Sequence, residues 1–269
     1  MTPLLEIRDL RTWYPVRGGF FGRTRGYVRA VDGVSLQVAA GETVGLVGES
    51  GCGKSTLART ILLLEKPQAG SVQIDGHDIA TLDAAERRAY RRAVQVVFQD
   101  PFASLNPRHT ILDALTEAPL AHGLVGRGGR RALASRLLAD VGLGDEALDR
   151  YPHAFSGGQR QRICIARALA LQPRLLICDE AVSALDLSVR AQILNLLAEL
   201  RAARGLAYLF ITHDLGVVRH LADRIAVMRR GKIVESGPAE AILDTPQDPY
   251  TRELLAAVPS VAPARPRRE

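Results

Sequence analysis

Long apolar runs are missing from this chain of 269 residues. A helix needs about eighteen consecutive apolar residues to cross a bilayer. No such run occurs, so we expect that the chain does not span a membrane by itself. The opening segment MTPLLEIRDL mixes charged with apolar residues, and we expect no signal peptide there. With 47% hydrophobic and 24% charged residues, the composition is typical of a globular protein with a sizeable core.

Cysteine and aromatic residues are also scarce. The three cysteines, Cys52, Cys164 and Cys178, form no C-x-x-C pair. This argues against a disulfide framework or a cysteine metal centre and favours buried, reduced thiols in a cytosolic protein. The net charge of +6 leaves nucleic acid or an anionic membrane surface open as a partner. Because no basic helix with interleaved aromatic residues occurs, we favour an ordinary solvated surface.

Short apolar runs alternate with helical patterns along most of the chain. This rhythm predicts an α/β fold with a mostly parallel core sheet. The strands at 4–10 and 28–38 are instead joined by RGGFFGRTRG, which reads as an exposed loop, so we expect a small antiparallel sheet beside the core. The block 110–165 is mostly helical and interrupts the rhythm, which indicates a separate helical subdomain.

A glycine-rich loop carries the clearest motif. The segment 48–55, GESGCGKS, matches G-x-x-x-x-G-K-[ST] between a predicted strand and a predicted helix. Such a loop turns backbone N–H groups toward the β-phosphate, while its lysine contacts the β- and γ-phosphates and its serine can bind Mg²⁺. The alternative is a glycine-rich turn with an incidental lysine, and the full match in context favours a nucleoside triphosphate site. The predicted ATP-binding residues of the loop are Gly48, Glu49, Ser50, Gly51, Cys52, Gly53, Lys54, Ser55 and Thr56.

Polar side chains follow three further predicted strands. Asp179 ends LLICD and is predicted to hold Mg²⁺ through water, and Glu180 beside it to polarise the water that attacks the γ-phosphate. Gln99 follows AVQVVF and can contact Mg²⁺ or the attacking water, or simply cap its strand. His213 follows LAYLFIT and can sense the γ-phosphate, or only cap a helix. Beside a complete phosphate loop we favour catalysis by Glu180 and Mg²⁺ binding by Ser55 and Asp179. From these residues alone, catalysis by Gln99 and His213 and Mg²⁺ binding by Gln99 stay open beside the capping roles.

A second candidate anion site lies farther along the chain. The segment FSGGQRQRICIARAL places Ser156, Gly157 and Gly158 directly before a helical pattern. Backbone N–H groups and the helix dipole attract anions at such a point, and Ser156 can cap the helix. The chain already has a phosphate-binding loop, so this segment requires a different explanation.

Together these segments resemble the ATP-binding subunits of ABC transporters over nearly the whole chain. The motifs stand in the family's order: Walker A, Q-loop glutamine, SGGQ, Walker B, a glutamate, the D-loop SALD and the switch histidine. The resemblance implies a P-loop NTPase (RecA-like) core, with Glu180 as general base and His213 as switch. It also implies that the signature and D-loop face ATP held by the other subunit, through Ser156, Gly157, Gly158, Gln159 and Asp186.

Within that family the motifs are similar to the oligopeptide and dipeptide importer branch. VFQDPFASLNPR, DEAVSALDLSVRAQILNLL and the tail TPQDPYTRELLAAVP carry this likeness. In the tail, Asp248 replaces a common histidine. Some members bind an iron–sulfur cluster through cysteines after that motif, but no cysteine follows Cys178 here, so we predict no iron–sulfur cluster. Relatives of the branch import nickel or other small solutes, which leaves the solute open.

The resemblance also implies domains and partners. We expect an ABC ATPase domain over 1–236, with its helical subdomain at 100–165, and a C-terminal extension over 237–269 with short helices and a basic tail. The expected partners are a second ATP-binding subunit (a paralogue rather than a second copy), two transmembrane permease subunits and, indirectly, an extracytoplasmic solute-binding protein. No nucleic acid is expected. The chain would then be a peripheral subunit at the cytoplasmic face of the bacterial inner membrane.

Two alternatives and one residue assignment stay open. A soluble ABC ATPase that acts on DNA or ribosomes is mildly favoured by the net charge, but the chain shows one nucleotide-binding unit and no long coiled-coil insertion. A P-loop kinase is disfavoured because kinase chemistry needs neither SGGQ nor SALD. An N-terminal aromatic residue usually stacks on adenine in this family; Tyr14 is the candidate and Tyr27 the alternative.

Overall fold

A computed structural model describes residues 3–18 and 23–257 of the chain. Strands and helices alternate through most of these residues, as the apolar runs predicted. The strands are β1 (Leu5–Gly18), β2 (Arg23–Val38), β3 (Thr43–Val47), β4 (Ala69–Ile74), β5 (His77–Asp78), β6 (Val94–Val97), β7 (Leu175–Asp179), β8 (Ala207–Thr212), β9 (Arg224–Arg229) and β10 (Lys232–Pro238). The α-helices are α1 (Lys54–Ile61), α2 (Ala84–Ala93), α3 (Pro101–Ser104), α4 (Ile111–Ala121), α5 (Arg130–Asp140), α6 (Gly157–Leu169), α7 (Leu187–Arg204), α8 (Leu215–Leu221), α9 (Ala239–Asp244) and α10 (Pro249–Ala256).

The core sheet has the order β10-β9-β3-β8-β7-β6. Its strands pair in parallel except at β10, which is antiparallel to β9. Every residue of β3 and β8 is buried, which explains their continuous apolar sequences. Because the strands are parallel, the residues that follow them meet at one edge of the sheet. The predicted α/β fold with a mostly parallel sheet is confirmed.

The smaller sheet is antiparallel, in the order β2-β1-β4-β5, as predicted. The predicted exposed loop RGGFFGRTRG is wrong in part, because β1 continues to Gly18 and β2 already begins at Arg23. The backbone pairs Val16 with Gly26 and Gly18 with Arg23. The hairpin therefore extends beyond 4–10 and 28–38, the residues whose apolar pattern predicted the two strands. The remaining loop positions, 19–22, lie outside the described residues.

The predicted helical subdomain contains α4, α5 and the start of α6. These helices pack around fully buried side chains that include Leu115, Leu138 and Ile163. An ion pair between Arg130 and Asp113, 2.5 Å apart, joins the start of α5 to the first turn of α4. The three cysteines of the chain are buried and unpaired, as predicted.

The two helices α9 and α10 were predicted as short helical patterns after β10. They pack on β9 and α8 in a cluster that includes Val47, Leu215, Val218 and Tyr250. The basic tail predicted at the end of the chain falls within 258–269, outside the described residues, and the domain boundary at 236 stays a prediction. Among the helices that the structure describes, none combines the length and the apolar character needed to cross a bilayer.

Candidate functional site

The loop between β3 and α1 makes turns that require glycine. Gly48, Gly51 and Gly53 have φ values of 155°, 79° and 114°. A Cβ at Gly53 would lie 2.0 Å from the Ala30 carbonyl oxygen, so backbone packing excludes a side chain there. The loop borders a cavity of about 150 Å³, lined by Ala30, Ser50, Gly51, Gly53, Lys54, Ser55, Thr56 and Glu180.

Lys54 supplies the positive charge of this cavity. Its side chain is 5% exposed, and its Nζ donates to the carbonyl oxygens of Gly48 at 2.7 Å and Glu49 at 2.9 Å. These partners are uncharged carbonyls, so they satisfy the donors of the ammonium group without neutralising it. A buried and unneutralised ammonium favours binding of an anion.

Asp179, the last residue of β7, lies beside the loop. The Ser55 hydroxyl donates to Asp179 Oδ1 at 3.3 Å. Burial raises the pKa of Asp179, the neighbouring Glu180 carboxylate adds to this effect, and the Ser55 hydrogen bond opposes it. Gln99 follows β6, the parallel neighbour of β7, and so lies at the same edge of the sheet. Hydroxyl, carboxylate and amide oxygens are the donors that Mg²⁺ prefers, so the predicted ligand set fits this ion.

Glu180 and His213 meet at this edge of the sheet. Glu180 Oε1 is 3.2 Å from His213 Nδ1, and Glu180 also lines the loop cavity. Glu180 has a positive φ of 50°. Its N–H donates to the Ile211 carbonyl at 2.9 Å, and its own carbonyl accepts from the Ser183 N–H at 3.0 Å. A non-glycine residue in this conformation costs about 1 kcal/mol or more, which the surrounding hydrogen bonds must offset to hold the carboxylate here.

Arg190 connects the segment 183–186 to the residue after His213, and the sequence analysis missed this contact. Its Nη1 pairs with Asp214 Oδ2 at 2.6 Å, directly after His213, and its Nη2 donates to the Leu185 carbonyl at 3.2 Å. One guanidinium therefore holds both segments. The only sequence signal was an arginine one helical turn after Asp186, the residue that caps α7.

The second glycine-rich segment lies at the N-terminus of α6. Ser156 and Gln159 form a capping box: Ser156 Oγ accepts from the Gln159 N–H at 3.3 Å, and Gln159 Oε1 accepts from the Ser156 N–H at 3.0 Å. A Cβ at Gly158 would lie 2.5 Å from Val189 Cγ1, so α6 approaches α7 closely at this point. Both side chains of the capping box are exposed.

The structure brings only part of the predicted site together. Lys54, Asp179, Glu180 and His213 surround or adjoin the phosphate loop. Of the described residues that line its cavity, none comes from the segment 156–159 or from the D-loop at 183–186. The second segment is therefore a separate, exposed surface.

Arg160, a buried residue directly after this segment, holds the start of α6 in place. It is 7% exposed, and its Nε donates to the Pro152 carbonyl at 2.7 Å. Its guanidinium lies 3.7 Å from the centre of the Phe102 ring. Phe102 belongs to α3, shortly after Gln99, and is 65% exposed. The Q-loop region and the start of α6 are thereby in direct contact.

The two aromatic candidates for adenine stacking lie on different faces of the small sheet. The Tyr27 ring lies 6.1 Å from that of Trp13, whose Nε1 donates to Asp32 at 3.2 Å. Since successive residues of a strand point to opposite faces, Tyr14 lies on the face away from this pair. Tyr14 is half-buried, whereas Tyr27 is 56% exposed.

A protein family described as "ABC transporter" matches residues 31–183, more than half of the chain. The matched range contains the phosphate loop, the segment 156–159 and Glu180.

The curated relatives include several import proteins. The chain is 52% identical over 265 residues to the glutathione import ATP-binding protein GsiA of Escherichia coli K12, covering 98% of this chain and 42% of that protein. It is also 52% identical over 269 residues to the protein of the same name from Salmonella typhi, covering 99% of this chain and 43% of the relative. The chain thus spans less than half the length of these relatives.

Solved structures share the fold. The ATP-binding cassette MJ0796, in a dimeric post-hydrolysis state bound to ADP and Pi, is 30% identical with a TM-score of 0.76, covering 87% of this chain and 98% of that one. CbiO1 from Clostridium perfringens, part of the ABC transporter complex cbiONQ, has a TM-score of 0.76 at 24% identity, covering 96% and 97%. At that lower identity the likeness concerns the fold alone.

Proposed function

Because the chain belongs to the ABC transporter family and is an ABC ATPase, we propose that it powers the import of a peptide-like solute through separate membrane subunits. The observation that carries the proposal is the Glu180–His213 pair, 3.2 Å apart, beside the cavity of a phosphate-binding loop. The relatives that are 52% identical and named as glutathione import proteins support the direction of transport and the class of solute.

In the proposed reaction, the phosphates of ATP lie in the loop cavity against Lys54. Glu180 accepts a proton from the water that attacks the γ-phosphorus in line, and Gln99 helps to orient that water. The bond between the γ-phosphorus and the β,γ-bridging oxygen breaks as the new bond forms, so that ADP leaves. His213 uses Nδ1 to hold the Glu180 carboxylate, which leaves Nε2 for a γ-phosphate oxygen. Tyr14, which lies on the face of the small sheet away from Trp13, stacks on adenine.

Mg²⁺ belongs to the same site in this proposal. Ser55 and Gln99 would hold it directly, and Asp179 would hold it through a water molecule. When bound, the ion would offset the negative charge of the ATP phosphates. The contact between Ser55 Oγ and Asp179 Oδ1 at 3.3 Å supports this ligand set.

We further propose that the second segment serves ATP held by another subunit. Ser156, Gly157, Gly158 and Gln159 present a helix N-terminus, and Asp186 lies in the nearby D-loop. Ser156, Gln159 and Asp186 are exposed and the two glycines are partly exposed. This supports the proposal, because a surface outside the cavity can reach an ATP phosphate only when another subunit holds that ATP. The proposed partner is a paralogous ATP-binding subunit rather than a second copy of this chain.

The proposed membrane contact is the region around Gln99 to Asn106. Phe98, directly before it, and Phe102 within it expose 39% and 65% of their surface, so apolar side chains are available to two permease subunits. The contact of Phe102 with Arg160 would pass a movement of this region to the start of α6. The chain would then lie at the cytoplasmic face of the inner membrane, with a solute-binding protein acting on the other side.

Uptake measurements test the proposed solute. Cells that lack this chain are supplied either with the native chain or with the Glu180→Gln variant, and uptake of labelled glutathione, dipeptides, oligopeptides and nickel is measured. The proposal predicts that the native chain alone restores uptake of glutathione or another peptide. Restoration of nickel uptake alone, or peptide uptake without any version of this chain, would overturn the solute assignment and leave the ATPase intact.

A further inference from the structure

One peptide unit of the phosphate-binding loop is held from two sides. Its carbonyl oxygen, on Gly48, accepts from Lys54 Nζ at 2.7 Å. Its N–H, on Glu49, donates to the hydroxyl of Tyr250 at 3.1 Å. Because the peptide is planar, with C=O and N–H pointing in opposite directions, the two bonds together fix its orientation. Tyr250 lies 201 residues farther along the chain, in α10.

Tyr250 is itself rigidly placed. It is 2% exposed, and the guanidinium of Arg229 lies 4.4 Å from the centre of its ring. The Tyr250 N–H donates to Asp248 Oδ1 at 2.8 Å, so Asp248 caps α10. Glu235 in β10 accepts from the N–H groups of Gln247 at 2.8 Å and Asp248 at 3.2 Å. The turn before α10 is therefore tied to the core sheet.

The apolar cluster around Tyr250 connects α10 with β3, which precedes the phosphate loop, and with α8, which follows His213. It contains Val47, which directly precedes the phosphate loop, and Leu215, which follows His213 by two residues. Tyr250 and Ile242 contribute the C-terminal helices to the same cluster. The extension is thus packed against the strand that carries the loop.

We propose that Tyr250 is a positioning residue for ATP. By holding the Gly48–Glu49 peptide, its hydroxyl directs the Gly48 carbonyl toward Lys54 and so sets where the ammonium group meets the phosphates. Tyr250 acts through the loop and not by touching the nucleotide. The inference rests on the proposed function of the 48–56 loop as the ATP site.

Packing alone would be the simplest alternative role for Tyr250. Its ring would fill the cluster and lie against Arg229 without any hydroxyl, so Tyr250→Phe separates the two roles. Tyr208 offers a matched control, because it is also fully buried and its hydroxyl donates to the Leu197 carbonyl at 2.9 Å. This second hydroxyl bonds α7 rather than the loop.

The experiment compares the full chain with its Tyr250→Phe, Tyr208→Phe and Lys54→Ala variants. The Kd of Mg²⁺ with the non-hydrolysable analogue AMP-PNP is measured by titration calorimetry, and Tm by thermal unfolding. Loss of one hydrogen bond should raise the Kd of Tyr250→Phe about fivefold. In ATPase assays its KM should rise while kcat stays unchanged, because Tyr250 contacts neither Glu180 nor His213. Tyr208→Phe should lower Tm and leave Kd within about twofold of the native value.

Each outcome decides one point. A raised Kd in Tyr250→Phe alone supports the positioning role. Native Kd in Tyr250→Phe, or an equal rise in Tyr208→Phe, would overturn it. Native affinity in Lys54→Ala would instead contradict the ATP site on which the inference rests.

Discussion

The two glycine-rich segments of this protein differ in how far the chain encloses them. The loop 48–55 is closed by its own chain, because Gly48 and Gly53 pack on neighbouring backbone, Lys54 is 5% exposed and Glu180 lines the cavity. The segment 156–159 is a helix N-terminus whose capping side chains are exposed. The first segment borders a cavity formed by its own chain, whereas the second is proposed to become a site only against another subunit.

This difference shows that similar residue types can specify either a pocket or an interface. Glycines permit close approach in both segments, to backbone carbonyls at Gly53 and to Val189 at Gly158. What differs is the surrounding charge and chemistry: Lys54 and the acids at the strand ends belong to the first segment alone. Substitutions beside the first segment should therefore abolish the chemical step itself. Substitutions in the second segment should instead weaken the cooperation between subunits.

The largest effect is expected at the cavity beside the first segment, which Glu180 lines. Glu180→Gln keeps the size of the side chain but removes the base, so turnover should fall about a thousandfold while ATP still binds. Phosphate release and AMP-PNP affinity are measured side by side. Glu199→Gln, an exposed change on α7, serves as the control. Native turnover in Glu180→Gln would refute the assignment of the base.

A smaller effect is expected at the second segment. Ser156→Ala removes one phosphate-facing hydroxyl, and turnover of the assembled subunits should fall about tenfold. The affinity of the isolated chain for AMP-PNP should not change. The free energy of unfolding should also fall by about 1 kcal/mol, because Ser156 caps α6.

Thr110→Ala is the matched control for this change. Thr110 caps α4 in the same way, with its hydroxyl accepting from the Asp113 N–H at 3.2 Å. It should cost a similar stability and leave turnover near the native value. Equal losses of turnover in the two variants would mean that Ser156 acts only by stabilising its helix.

The smallest effect concerns the subdomain that carries the second segment. Hydrogen bonding by Arg130, with help from Thr110, lowers the pKa of Asp113. The folded pKa is below the unfolded one, so the stabilisation is present at neutral pH and is lost as the pH falls through the lowered pKa. Both side chains are partly exposed, so Arg130→Gln should cost about 0.5 kcal/mol at pH 7. Denaturant unfolding at neutral and strongly acidic pH tests this. Arg130 Nε also donates to Thr116 Oγ1 at 2.9 Å, so part of the difference should remain at low pH, and a difference that is undiminished there would contradict the prediction.

The sequence predicted the features that are encoded by residues close together in the chain. The loop 48–55 is contiguous, and Asp179, Glu180 and His213 each follow a strand that its apolar run identifies, so parallel strands bring them to one edge. The pairing of β1 with β2 extends farther than its apolar pattern, and the prediction of an exposed loop was wrong there. Strand pairing is stabilised by backbone hydrogen bonds, which leave no trace in side-chain periodicity.

Contacts between distant residues escaped the sequence analysis. Arg190 reaches Asp214 across 24 residues, and Tyr250 reaches Glu49 across 201. Neither side chain belongs to a motif that contains its partner. Both contacts depend on the fold, which places α7 beside α8 and α10 beside the phosphate loop.

The segment 156–159 is proposed to serve ATP held by a second subunit. This proposal is tested by turnover per chain, measured over a dilution series at saturating ATP and Mg²⁺. Turnover per chain should fall as dilution separates the subunits, and added partner subunit should restore it. Equal turnover per chain at every dilution, with no response to partner, would show that the segment does not act on a partner's ATP.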